Sequence, residues 1–78
     1  MAKLRLFAQA REAAGTSSAE FGGSTVGQVI EAAVSEYGGE FERVVQHSRV
    51  WCNGDPAEND TAVTDTDEVA VLPPVSGG

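Results

Sequence analysis

Apolar and polar positions alternate from Lys3 to Ala8, with Leu4, Leu6 and Ala8 on one face and Lys3, Arg5 and Phe7 on the other. That period predicts a half-buried β-strand whose core face carries the leucines, leaving Phe7 beside two cations on the side that water ordinarily covers. A weaker alternation from Ser17 to Phe21, bounded by Gly15-Thr16 and Gly22-Gly23, predicts a second strand in a hairpin. Between them, Gln9 to Ala14 reads as a loop or single helical turn, with Gly15 suited to a left-handed stop. The period then changes. Val26, Val29, Ile30, Ala33, Val34 and Tyr37 recur at helical spacing within Thr25 to Tyr37, an amphipathic helix with one apolar stripe. Thr25 with Gln28 reads as a capping box and Gly38-Gly39 as the stop. Gly27 costs about 1 kcal/mol against alanine inside a helix, so it either permits close packing or carries no structural meaning. Glu40 to Gln46 reads as a further short turn with Phe41, Val44 and Val45 inward.

Alternation returns at Arg49 to Cys52, where Val50 and Cys52 share one face and Arg49 and Trp51 the other, ahead of the turn pair Asn53-Gly54. Pro56 restricts the next segment to a short edge piece. After the turn-like Thr64-Asp65-Thr66-Asp67, a last strand covers Glu68 to Leu72. One helix has to cover one sheet, which makes an α+β fold of the β-grasp type the economical topology: a mixed sheet of four to five strands on one main helix, its first and last strands parallel neighbours. Residues 1–72 form the domain and 73–78 a flexible tail. Pro73 and Pro74 end the strand pairing, because proline offers no N–H and holds Leu72 extended. Beyond them Val75-Ser76-Gly77-Gly78 closes the sequence. Six residues reach roughly 20 Å at about 3.3 Å each, and two glycines can thread a channel too narrow for side chains. A frayed terminus is the bland alternative.

Composition narrows the chemistry. A chain of 78 residues buries only about 60 to 65% of its unfolded surface, which leaves no room for an enclosed catalytic cleft, so an enzyme acting alone is not expected. Twelve acids against five Lys and Arg give a net charge of −7, which opposes nucleic acid and anionic membranes as partners. One cysteine excludes an internal disulfide, and no apolar run has the length of a membrane span or the pattern of a signal peptide, so a cytoplasmic location is expected. Cys52 reads as a small buried hydrophobe rather than a sulfur relay. His47 has no second His or Cys at ligand spacing, and the acidic run Asp60 to Glu68 lacks the calcium-loop pattern, so no metal site is expected.

Leu6-Phe7-Ala8-Gln9-Ala10-Arg11-Glu12 with Ala14-Gly15-Thr16, the helix, Asn53, and Thr64-Asp65-x-Asp67-Glu68-Val69-Ala70 leading to Leu72-Pro73-Pro74-Val75-Ser76-Gly77-Gly78 resemble the small, ubiquitin-like subunit of molybdopterin synthase and, more broadly, the sulfur-carrier family. Asp55-Pro56-Ala57 departs from a more apolar strand in that pattern. The resemblance implies that Gly78, with Gly77 before it, carries the chemistry. Its carboxylate would be adenylated by an E1-like adenylyltransferase/sulfurtransferase that uses ATP, then converted to a thiocarboxylate. In the family, that group inserts into the large subunit of molybdopterin synthase and gives sulfur to a pterin precursor. No permanently bound cofactor is implied. A protein modifier using the same activated terminus, and a binding module whose Pro-Pro tail docks on a partner, are the other two classes. Thiamine, cysteine and thiosugar pathways are the other acceptors.

Strand parity predicts how partners hold the domain. With Leu4, Leu6, Val50, Cys52, Val69 and Val71 inward, Phe7, Trp51 and Leu72 face outward together, and Lys3, Arg5 and Arg49 share that parity. An apolar centre with a polar rim marks a binding site. The expected contact residues are therefore Phe7, Trp51 and Leu72, the rim Lys3, Arg5 and Arg49, and the tail residues Pro73, Pro74 and Val75. Arg11 joins them from the family resemblance.

Overall fold

The computed structural model describes residues 1–74. Its elements are β1 (Ala2–Leu6), α1 (Ala8–Ala14), β2 (Ser18–Phe21), α2 (Val26–Tyr37), α3 (Gly39–Gln46), β3 (Arg49–Cys52), β4 (Asp55–Pro56) and β5 (Glu68–Leu72). The strands form one sheet in the order β2-β1-β5-β3-β4. β1 and β5 run parallel at its centre, with Leu4 opposite Val69 and Leu6 opposite Val71, while β3 pairs antiparallel to β5 on the other side. This is the β-grasp arrangement that the hydropathy pattern predicts.

The inward faces meet the helices in one core. Leu4, Leu6, Val69 and Val71 from the sheet, Val26, Val29 and Ala33 from α2, Ala10 from α1 and Phe41 from α3 are all buried to within 1% of complete. At one edge of that core, Phe21, Tyr37 and Phe41 form successive edge-to-face pairs, with ring centroids 5.8 and 5.2 Å apart.

The start of α2 explains why Gly27 stands where it does. A helix leaves its first N–H groups without intrahelical partners. Here Val26 N–H donates to the Thr61 carbonyl at 2.9 Å and Gly27 N–H to that of Asn59 at 2.8 Å. Gln28 N–H donates to Thr25 Oγ1 at 3.2 Å, and Val29 N–H to the Thr25 carbonyl. The reciprocal half of the expected capping box reaches one residue further back, since Gln28 Oε1 accepts from Ser24 N–H rather than from Thr25. The loop carbonyls come so near that a Cβ on residue 27 would lie 2.9 Å from Asn59 O.

Three details differ from the sequence reading. Gln9 to Ala14 belongs to a seven-residue helix rather than a single turn; burial of Ala10 supports it. Ala8 does not continue β1 on its core face. It is exposed, opens α1, and has φ 51, a left-handed conformation that costs on the order of 1 kcal/mol for alanine. Residues 39–46 form a full eight-residue helix. The edge piece at Pro56 is two residues long and pairs Trp51 with Pro56 and Cys52 with Asp55.

Candidate functional site: an open sheet face beside the tail

The register builds the open face row by row. Arg5 lies opposite Ala70, Ala70 opposite Trp51, and Trp51 opposite Pro56; in the adjacent rows Leu72 faces Arg49, and Lys3 stands between Glu68 and Glu20. Phe7 follows Leu6, whose partner is Val71, and so falls at the Leu72 end of the sheet. The Arg5 guanidinium carbon lies 6.0 Å from the Phe7 ring centroid, which puts that ring on the cation side. Phe7, Trp51, Leu72, Lys3, Arg5 and Arg49 are thereby brought to one face, as strand parity predicts.

The apolar centre is less open than expected. Phe7 is 40% exposed, whereas Trp51 and Leu72 are half-buried. Lys3, Arg5 and Arg49 are exposed. Arg5 Nη1 sits 3.8 Å from Glu68 Oε2, with both side chains between two-fifths and one-half accessible. Exposed pairs of this kind contribute about 0 to 1 kcal/mol, so Arg5 can exchange Glu68 for a partner's carboxylate at little cost.

β5 ends at Leu72, and Pro73 is half-buried while Pro74 is exposed. Pro74 lines a groove of about 560 Å³ between α1 and α3, whose walls include Glu12, Arg43 and His47. Arg11 is exposed on α1 beside Glu12. Val75, Gly77 and Gly78 lie outside the described residues.

A clasp that sequence reasoning did not find fixes the start of β5. Asn53 has φ 53, a left-handed conformation that asparagine tolerates. Its Nδ2 donates to Asp67 Oδ1 at 2.8 Å, its Oδ1 accepts from Glu68 N–H at 2.9 Å, and its own N–H donates to the Glu68 carbonyl. Thr64 N–H donates to Asp67 Oδ2 at 2.8 Å. The Asn53 amide first, and the Thr64 N–H second, hold the Asp67 carboxyl below the usual range. The sequence presented Asn53 and Asp67 as turn residues and as parts of the family resemblance, with nothing to join the two. Cys52 is half-buried, and burial first, then the charges of Asp67 and Asp55, push its thiol up. Both causes disfavour the thiolate, which is the nucleophilic form. Among the described residues no three His, Cys, Asp or Glu side chains gather as a metal site, and no helix is long and apolar enough to cross a membrane.

By its sheet order and helical layer the domain is of the ubiquitin-like β-grasp class. The chain belongs to the ThiS family of ubiquitin-like sulfur carriers, whose model matches residues 4–78. The SAMP1 protein of Haloferax volcanii is 34% identical with a TM-score of 0.82, over 99% of this chain and 98% of that one. A Pyrococcus furiosus protein provisionally assigned as molybdopterin converting factor, subunit 1, is 27% identical with a TM-score of 0.82, over 95% and 97%. A chain of the Amycolatopsis orientalis BexX/CysO complex is 25% identical with a TM-score of 0.84 and full coverage of both. These relatives carry names from different systems. Family membership therefore establishes a sulfur carrier or ubiquitin-like modifier without choosing the acceptor.

Proposed function

We propose that this protein carries sulfur on Gly78 as a thiocarboxylate and serves as the small, sulfur-donating subunit of a molybdopterin synthase. The observation that carries the reading is the family match running through residue 78, on a domain whose central strand leads directly into Pro73 and Pro74. A free carboxylate is a poor electrophile; adenylation supplies a leaving group, and sulfur displaces AMP to give an ionised, polarisable nucleophile. ATP is the activating partner's substrate. An E1-like adenylyltransferase and the large synthase subunit would each take the open face around Phe7, Trp51 and Leu72 in turn, with Lys3, Arg5 and Arg49 setting orientation and on-rate. Pro73, Pro74 and Val75 would carry Gly77 and Gly78 into the partner, and Arg11 is a peripheral contact. The cytoplasm, where the nucleotide is supplied, is the proposed location. Molybdopterin ranks first among acceptors because the segments around Phe7 to Thr16 and Thr64 to Gly78 resemble that subunit, and the Pyrococcus furiosus relative bears a matching name.

The test is reconstitution of thiocarboxylated protein with a large synthase subunit and the pterin precursor. Formation of the dithiolene pterin, with recovery of the free carboxylate, supports the assignment. Sulfur transfer only in a thiamine, cysteine or thiosugar system would replace it, and isopeptide ladders on lysines would move the protein to the modifier class.

A further inference from the structure

The helical layer does not cover the whole inner face of the sheet. α2 packs toward β2, and α1 toward β1 and β5. On β3 the inward residues Val50 and Cys52 remain half-buried, although Val69 and Val71 on the neighbouring strand are fully enclosed. Where the helices stop short, a groove of about 380 Å³ lies between α2, α3 and β3, with the aliphatic side chains Ile30, Val34, Val45 and Val50 in its walls. Glu31 and Glu42 also line it, and no lysine or arginine does. Asn59 lines it as well. Its carbonyl is tied to Gly27 N–H at 2.8 Å, and the same loop is bonded to α2 again through Thr61 and Val26, so that part of the wall is set before anything binds.

We propose that this groove is a second docking site, for a partner segment that presents aliphatic side chains flanked by lysine or arginine. The apolar walls supply the anchor positions and the two glutamates the charge complement. The protein's charge distribution selects the same occupant. Its net charge is −7; Lys3, Arg5 and Arg49 are on the opposite side of the sheet, where Glu20 and Glu68 flank Lys3, and neither Arg11 nor Arg43 lines the groove, so a basic segment meets only carboxylates among the charged groups of its walls. Preformed walls reduce the ordering cost of binding. Because the groove and the open face lie on opposite sides of the sheet, both can be occupied together, and a third component could hold the carrier while it is passed between two enzymes.

The test is an NMR titration of the full chain, labelled with nitrogen-15, with an acetylated and amidated peptide of sequence KLKKIK and a control, KSKKSK. Saturable shifts should centre on Ile30, Val34, Val45 and Val50, with binding at least tenfold tighter than the control. Glu42→Lys, on an exposed position that folding does not require, should weaken binding severalfold, and Val45→Lys should weaken it further. Equal binding of the control peptide, shifts centred on the acidic loop from Glu58 to Asp67, or unchanged affinity in a folded Glu42→Lys protein would each overturn the proposal.

Discussion

Gly27→Ala separates two accounts of the same helix by the sign of its effect. Helix propensity alone makes the change stabilising by about 1 kcal/mol. The packing makes it destabilising. The added Cβ would lie 2.9 Å from Asn59 O and 3.2 Å from Asn59 Cβ, closer than real Cβ atoms ordinarily come to their neighbours. The carbonyl cannot simply retreat, because it accepts from Gly27 N–H, and the loop beyond it is held by Val26 N–H donating to the Thr61 carbonyl and Val63 N–H donating to the Ser24 carbonyl, just ahead of α2. Overpacking against backbone costs about 1 to 3 kcal/mol, and loosening the hydrogen bond about 1 kcal/mol more. Set against the propensity gain, the net loss is about 1 to 3 kcal/mol. Gly39→Ala is the control, since a Cβ at the start of α3 meets none of the described residues within 4 Å and should be neutral or stabilising by up to about 1 kcal/mol. Guanidinium unfolding at fixed slope measures both. A Gly27→Ala protein as stable as the parent, or more so, would refute the packing argument.

The remaining expectations concern binding, sulfur chemistry and pH. Phe7→Asp should weaken binding to the activating enzyme by about 2 kcal/mol or more, as hot-spot residues do, with Leu72→Asp acting in the same direction; calorimetry that finds parental affinity in folded variants would remove the open face from the account. Cys52→Ala should load sulfur normally and lose about 1 kcal/mol of stability to a small cavity; a folded variant that fails to load would restore Cys52 as a relay. Asp67 is held below its ordinary range by Asn53 and Thr64, so the stability it contributes is fully present above the unfolded carboxylate value near about 3.9. That stability is lost as pH falls through the lower folded value. Thermal melts of the parent should therefore decline below about pH 4 more steeply than those of Asp67→Asn, and parallel curves would show the clasp to be inert.

Sequence period carried the central strands and α2 because each has one face in a single core: Leu4 and Leu6 alternate with Lys3 and Arg5, and Val26, Val29 and Ala33 follow the helical repeat. The same parity placed Phe7, Trp51 and Leu72 on one side. It could not give their exposure, which depends on neighbours across the sheet, and two of the three are half-buried. Helix α1 was underestimated because seven residues carry little periodic signal; its support is tertiary, through Ala10 buried in the core. Ala8 left the strand because the chain turns there at a positive φ, and no sequence rule places alanine in that conformation. The Asn53–Asp67 clasp joins residues 14 apart, and the groove along Val50 is assembled from three elements, so neither exists in any local window.

Intact and peptide-level mass spectrometry at Gly78, after incubation with the cognate activating enzyme, ATP and a sulfur donor, tests the central claim most directly. The C-terminal peptide should gain the mass of one oxygen-to-sulfur exchange, require ATP, and react with a thiol-selective alkylating reagent, while a chain lacking Gly78 stays unchanged. An unmodified C-terminal peptide from a folded, enzyme-bound protein would contradict the account.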